Sequence, residues 1–384
     1  MAPRQRDSIL PCVHGRRRVS DNGSDGRDVL SAAQAIAGLV VSFALLAIGA
    51  ADGAVRDPCA QCITITAGGT YSGSWTSNDS TPAVRISTAA PVTIVDSTIT
   101  NRAGGTLVQS DLGLGTSITL KRVTANGGSG RFFVGENIQS LSVRNCTINK
   151  TGGIYVFKGQ HAASIRITRN RQRNIQRGAE YHQFAQFNQV TTATIDVSWN
   201  EVINIYGRSE VEDNINIFKS SHAVVHDNYI QGAFPRYYTD SYSGSGIMVG
   251  DDGGSYNLVY DNQIVDATNV GIGIVGGHDN EVRNNRVVSD GKLDDGTSLM
   301  AANVGVVVWN AYSDTEWANN HAVGNVIAWV HAGPYRNDMW FPHSPSSDYA
   351  LNKGLRVRVT HATELREHEL WLRKLVTNRI QIGA

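Results

Sequence analysis

The phrase Ile195-Asp-Val-Ser-Trp-Asn200-Glu-Val202 comes back three times downstream, as Val224-Val-His-Asp-Asn228-Tyr-Ile230, Leu258-Val-Tyr-Asp-Asn262-Gln-Ile264 and Glu281-Val-Arg-Asn-Asn285-Arg-Val287. Each copy is a short alternating run, an Asn, and a second short apolar run. Irregular repeats of this length make a solenoid, in which each unit buries its apolar face only against its neighbours. Outward from this block, Asn145 and Asn170 precede it in the same setting and Asn320 follows. Ser97 and Arg122 fill the slot in two earlier, more degenerate units. The slots lie 23 to 35 residues apart, the short spacings setting the coil and the long ones marking inserted loops.

A coil of about 23 residues with three short strands must turn sharply. Asn tolerates left-handed backbone angles better than other non-glycine residues, and its side chain caps backbone groups at a bend. Stacked on the Asn of the next rung, its amide donates one way and accepts the other, each bond being worth roughly 1 kcal/mol net. These Asn read as structural.

The pattern resembles the right-handed parallel β-helix proteins of the pectate-lyase-like superfamily over roughly residues 63–330. The resemblance implies an all-β chain: a β-helix over 52–362, closed by a C-terminal capping helix and tail over 363–384. Within that tail, Thr363 to Val376 reads as a helix with Leu365, Leu372, Leu375 and Val376 on one side, a lid for the open end of the solenoid.

Ahead of the coils, residues 1–51 read as a secretory leader: an Arg-rich start, then an apolar run from Ala35 to Ala51 that is short for a membrane span and ends in small residues. The expected setting is secreted or periplasmic, with no stable membrane association after cleavage. Such a compartment lets Cys59 and Cys62 pair, and Cys146, beside a ladder position, is expected to be buried. The whole chain has no net formal charge, and removing the leader leaves 28 basic and 30 acidic residues. No large basic excess points to nucleic acid. Arg166, Arg169, Arg171, Arg173 and Arg177 nevertheless crowd one coil, either as a solvated face or as a rail for an acidic polymer.

A second column precedes the Asn ladder. Phe157-Lys158, Phe187-Asn188 and Phe218-Lys219 lead to Asp251-Asp252 and His278-Asp279. The Phe residues are expected to stack in the core. The polar residues after them are expected to form one exposed strip at about 4.8 Å per coil. Lys158, His161, Asn188, Lys219, His222, Asp251, Asp252, His278 and Asp279 belong to it, and Glu212, Asp213 and Asn214 enter from the strand before Lys219. A loop carrying Arg236 and Tyr237 is expected to fold over it, its aromatics suited to sugar stacking. A lyase acting on uronates needs a cation or metal to neutralise the carboxylate, a base and an acid. Lys219 suits the base, and His222 or Tyr237 the acid.

The stretch from Glu212 to Lys219-Ser-Ser is similar to the Glu…Lys-Ser stretch of the chondroitinase-B and alginate-lyase family. That likeness implies elimination on an acidic glycan, Lys219 as base, and calcium held near Glu212, Asp213 and Asn214. Asn214 stands where the family has its second acid, and the family's Arg on the next coil is not found. Gly250-Asp251-Asp252 and Gly276-Gly277-His278 instead resemble two polygalacturonase signatures, which imply hydrolysis by paired carboxylates. A non-catalytic binding or adhesive β-helix is the third expectation. In every case the partner is a polysaccharide.

Overall fold

Along residues 164–168, Ile165 and Ile167 are buried and Arg166 is exposed. Along 215–218, Ile215 and Ile217 point inward while Phe218 is half-buried. This period of two means flat walls with one apolar face each. The computed structural model describes residues 59, 61–178, 182–235, 244–299, 304–331 and 335–384. The leader over 1–51, Arg236 and Tyr237 lie outside the described residues.

The chain from Asp57 onward is one compact unit, a right-handed parallel β-helix with three walls. Sheet 1 contains Ala185–Asn188, Asp213–Phe218, Ser245–Asp251, Val270–Ile274 and Val304–Val308, each paired in parallel with the strand one coil away. Sheet 2 contains Thr194–Ser198, Ala223–His226, Leu258–Tyr260, Glu281–Arg283 and His321–Val323. Sheet 3 contains Arg171–Arg173, Glu201–Ile203, Tyr229–Ala233, Gln263–Ala267, Arg286–Ser289 and Val326–Trp329. A single apolar column fills the interior from Ile65 to Phe341. Cys59 and Cys62 form a disulfide at its start, and Cys146 is buried.

The Asn ladder stands at the corner between sheets 2 and 3. The Oδ1 of Asn228 accepts the backbone N–H of Asn200 at 3.0 Å and its side-chain N–H at 2.9 Å, and Asn228 Nδ2 donates to Val197 O at 2.8 Å. The same set recurs through Asn262, Asn285, Asn325 and Asn352. Two expected rungs are corrected. Asn145 lies one position before the slot, which Cys146 occupies, donating its backbone N–H to Asn170 Oδ1. Asn325, not Asn320, continues the column. The left-handed residue at each turn is also not the ladder Asn but the one before it, including Asn145, Arg169, Trp199, Asp227, Asp261 and Asn284, all with φ of 53–60°. The Asn is kept for its amide rather than for its backbone.

Asn320 belongs to a second ladder, at the corner between sheets 1 and 2. There Asn257 donates to Asn280 Oδ1 at 3.1 and 2.9 Å, and Asn280 donates its backbone N–H to Asn320 Oδ1. From Tyr335 onward the chain builds one more distorted coil. Met339–Trp340 adds to sheet 1, α1 (Ser347–Leu351) packs on His321–Val323, and Lys353–Gly354 adds to sheet 3.

The C-terminal helix α2 (His361–Thr377) is not a lid over the end. It lies along sheet 3, burying Glu364, Glu367, Trp371 and Leu375, while Leu365, Leu372 and Val376 are exposed. The expectation chose the apolar stripe, but a helix that crosses a polar wall buries the stripe able to bond with it. Glu367 holds Arg286 through two bonds of 2.6 and 2.7 Å, and Trp371 Nε1 donates to Asp227 O at 2.9 Å. His368 bonds Glu201 at 2.8 Å. Burial raises the Glu201 carboxyl, but His368, Arg173 and Arg171 outweigh it and hold the pKa at about 2.

One helix contact is costly. Carboxyl oxygens of Asp266, Asp290 and Glu364 all lie within 4.8 Å of one another, largely out of water. Burial, then the charge of Asp266, pushes Glu364 far up. Burial also raises Asp266, against a bond from Ser289 and with the charges of Asp290 and Asp294 adding to the rise.

Two outcomes are expected. Asn228→Ala strands four ladder bonds and should cost about 2–4 kcal/mol in denaturant unfolding, against about 1 kcal/mol for Asn145→Ala, which gives up one exposed bond and a residue suited to its left-handed turn. A smaller loss at Asn228 than at Asn145 would contradict the ladder. In the carboxyl cluster the folded state keeps protons that the unfolded state releases, so stability is greatest at acid pH and falls as pH rises from the ordinary carboxylate range through neutrality. The wild-type melting temperature should therefore drop between pH 5 and 9 by about 5 °C more than that of Glu364→Gln. Parallel melting curves would contradict the shared-proton account.

Candidate active site

The outer face of sheet 1 is set by register. Tyr155, Gln186, Asn216 and Met248 occupy one outward column. Phe157, Asn188, Phe218 and Asp251 occupy the next, the last after a register shift. Gly250 makes that shift: its φ is +66°, and a Cβ there would sit 2.1 Å from Gly276 O, so only glycine fits. The bulge turns Asp251 toward the wall and leaves Asp252 at the rim. The expected Phe stack is corrected by the same register. Phe187 is buried in the core, but Phe157 and Phe218 flank Asn188 on the outside, because a one-residue slip changes the face.

A polar network climbs this wall. Arg131 donates to Gln183 at 3.0 Å and Gln186 at 3.2 Å, and its guanidinium lies 4.9 Å from the centre of the Tyr155 ring. Asn188 donates to Tyr155 Oη at 3.0 Å. At the centre, Asn216 Nδ2 donates to Asp213 Oδ2 at 2.9 Å and to Asp251 Oδ2 at 2.8 Å, so those two oxygens are at most 5.7 Å apart. The Tyr312 hydroxyl donates to Asp251 Oδ1. Asp213 and Asp251 are each only 2% exposed, whereas the side chains of Lys219 and Asp252, joined at 2.8 Å, are 44% and 43% exposed. The Oδ1 atoms of Asn188 and Asn216 are buried with no partner among the described residues, an unmet demand for a donor on this face.

Of the expected strip, Lys158, Lys219 and Asp252 share the sheet 1 end of the corner, all at positive φ. His222, His278 and Asp279 stand at its sheet 2 end. Tyr256 joins them, stacked on His222 with ring centres 5.3 Å apart and meeting His278 edge-on at 5.2 Å. His278 Nδ1 bonds Asp279 at 2.7 Å. Lys158 lies two coils below Lys219, over the Phe157 ring. His161 is exposed in the irregular stretch between Gly159 and Ser164.

The residues expected to hold calcium take separate partners. Asn214 donates to Gly232 O and accepts from Asn204, Glu212 accepts from Gln183, and Asp213 accepts from Asn216. Each of the three is thus engaged by a different neighbour within the protein. Asn216, Tyr312, Tyr155 and Arg131 escaped the sequence reading. Asn216 was legible as the outward residue between Ile215 and Ile217, but Tyr312 reaches Asp251 from a loop two coils away, which no spacing reveals. No protein-family model matches the chain, and no curated protein matches it.

Proposed function

We propose that the chain cleaves an acidic polysaccharide by β-elimination at the rim between sheets 1 and 2. The observation that carries this reading is exposure. The groups a polymer reaches from solvent are Lys219 and, three residues along the same turn, His222, while the two wall carboxylates are buried. Elimination from a uronate requires removal of the ring proton beside the carboxylate and protonation of the departing oxygen. In this reading the unprotonated amine of Lys219 takes the ring proton, and His222 returns a proton to the leaving oxygen. Arg131 and Lys158, lower on the same face, hold neighbouring carboxylates by charge. Asp213, Asn216 and Asp251 keep the rim rigid beneath. The Cys59–Cys62 disulfide goes with a secreted or periplasmic setting.

A second reading, hydrolysis, draws on the Asn216 bridge. Two carboxylate oxygens at most 5.7 Å apart suit a double displacement better than an inverting pair, which needs a wider gap for water. It requires the chain to reach Asp213 and Asp251 behind the rim.

Incubation with a panel of uronate polymers separates the outcomes. New ultraviolet absorbance marks elimination, reducing ends without it mark hydrolysis, and binding without products marks an adhesin. Lys219→Ala should lower the rate of absorbance gain by about a hundredfold or more at an unchanged melting temperature. Full activity in that variant removes Lys219 as the base.

A further inference from the structure

One wall away from the proposed cleavage site, the outer face of sheet 2 carries a groove of about 680 Å³. Arg144, Arg166 and Arg169 line it together with Asp196, Trp199 and His226. Register explains the convergence, since Arg166 and Asp196 are neighbours in one outward column and Arg144, Thr168, Ser198 and His226 follow one another in the next. Among the described residues, the three guanidinium groups make no hydrogen bond or ion pair, and Arg166 acts on Asp196 only at longer range. Burial opposes charge on His226, but Asp196 and Asp227 outweigh it and raise its pKa to about 9, so it adds positive charge at neutral pH. Like charges on rungs about 4.8 Å apart repel, and a bound anion relieves them.

The remaining lining narrows the anion. Asp196 accepts hydrogen bonds but repels dense negative charge, and Thr168 and Ser198 line the groove with it. A ligand with hydroxyl donors between its acid groups matches this mixture better than a polyphosphate. The indole of Trp199 offers apolar surface for the C–H face of a sugar ring. We propose that this groove is a binding site for an acidic oligosaccharide, with the three arginines taking its acid groups and Asp196 and Trp199 its hydroxyls and ring faces. The inference does not need the elimination chemistry, because a polymer held on sheet 2 is compatible with any reaction on sheet 1.

The test is calorimetric binding of a galacturonate hexasaccharide and a sulfated hexasaccharide to the full chain carrying Lys219→Ala, which prevents turnover without touching the groove. At least one acidic probe should bind, more weakly as salt rises. Arg166→Ala should weaken it about tenfold, and Arg144→Ala added to it about tenfold again, at unchanged melting temperature. Arg85→Ala, outside the groove, should change nothing. Binding of neither probe, equal binding of a neutral hexasaccharide, tighter binding of an oligodeoxythymidylate, or affinity untouched by both arginine changes would each overturn the assignment. Because the background already lacks Lys219, loss of turnover and loss of groove binding are scored separately.

Discussion

A buried amide that accepts twice and donates twice, repeated coil after coil from Asn200 to Asn352, is the constraint on which the rest of this molecule depends. Parallel strands of three to five residues hold each other weakly, and nothing in a short apolar run prevents a slip of one position. A slip leaves each ladder Asn without its four partners in a place that water does not reach, so the wrong register is expensive even though each bond is worth little. The second ladder applies the same rule at the next corner. With two of three corners pinned, the strands between them have no freedom to shift. Side chains far apart in sequence, such as Asp213, Asn216 and Asp251, therefore meet at hydrogen-bond distance.

That mechanism also marks how much could be read from the chain. The repeat, the walls and the core were legible because alternation and the Asn slot are local and periodic. The errors share one cause, the phase of the repeat. Asn145 for Cys146, Asn320 for Asn325, and Phe157 and Phe218 for core residues are slips of one or a few positions, and local spacing does not set phase where loops of unequal length intervene. The second ladder was present in Tyr256-Asn257, Asp279-Asn280 and Asn319-Asn320, but each pair looks like an ordinary turn until the coils are stacked. Helix α2 failed differently. Its apolar stripe was read as the buried one, yet the wall it meets offers Arg286, Gln263 and Glu201, so Glu367, His368 and Trp371 face inward instead. Of the site, single residues were legible and their connections were not. Lys219 and Asp251 stand out by type, whereas the Asn216 bridge and the Tyr312 bond are tertiary facts.

By construction the three walls of such a solenoid are equivalent, so what distinguishes them is what covers each. Sheet 3 is covered by α2, and its arginines Arg171, Arg173 and Arg286 are answered within the chain. Sheet 1 is covered only in part: its carboxylates are drawn into the wall by Asn216 and Tyr312, and a lysine and an aspartate are left at the rim. Burial on one side and exposure on the other of a single residue step, Asp251 to Asp252, follows from the Gly250 bulge. A backbone device thus decides which carboxylate a ligand meets.

The crowd of arginines between positions 166 and 177 shows the same logic at its sharpest. Arg171 and Arg173 lie on sheet 3, where Glu201, itself held by His368 of the helix, pairs with both. Arg166 and Arg169, a few residues earlier in the same coil, stand on the other side of the corner and find no such carboxylate. Uncompensated charge in a folded chain is a cost, and an exposed lysine or glutamine in either place would serve solubility as well. The cost falls where three guanidinium groups, an indole and a carboxylate share one groove, and it is their conjunction rather than any one of them that suits a ligand. If the crowd were merely a solvated face, its charges would be spread over the coil as α2 and Glu201 spread them on sheet 3, and the groove would not collect them.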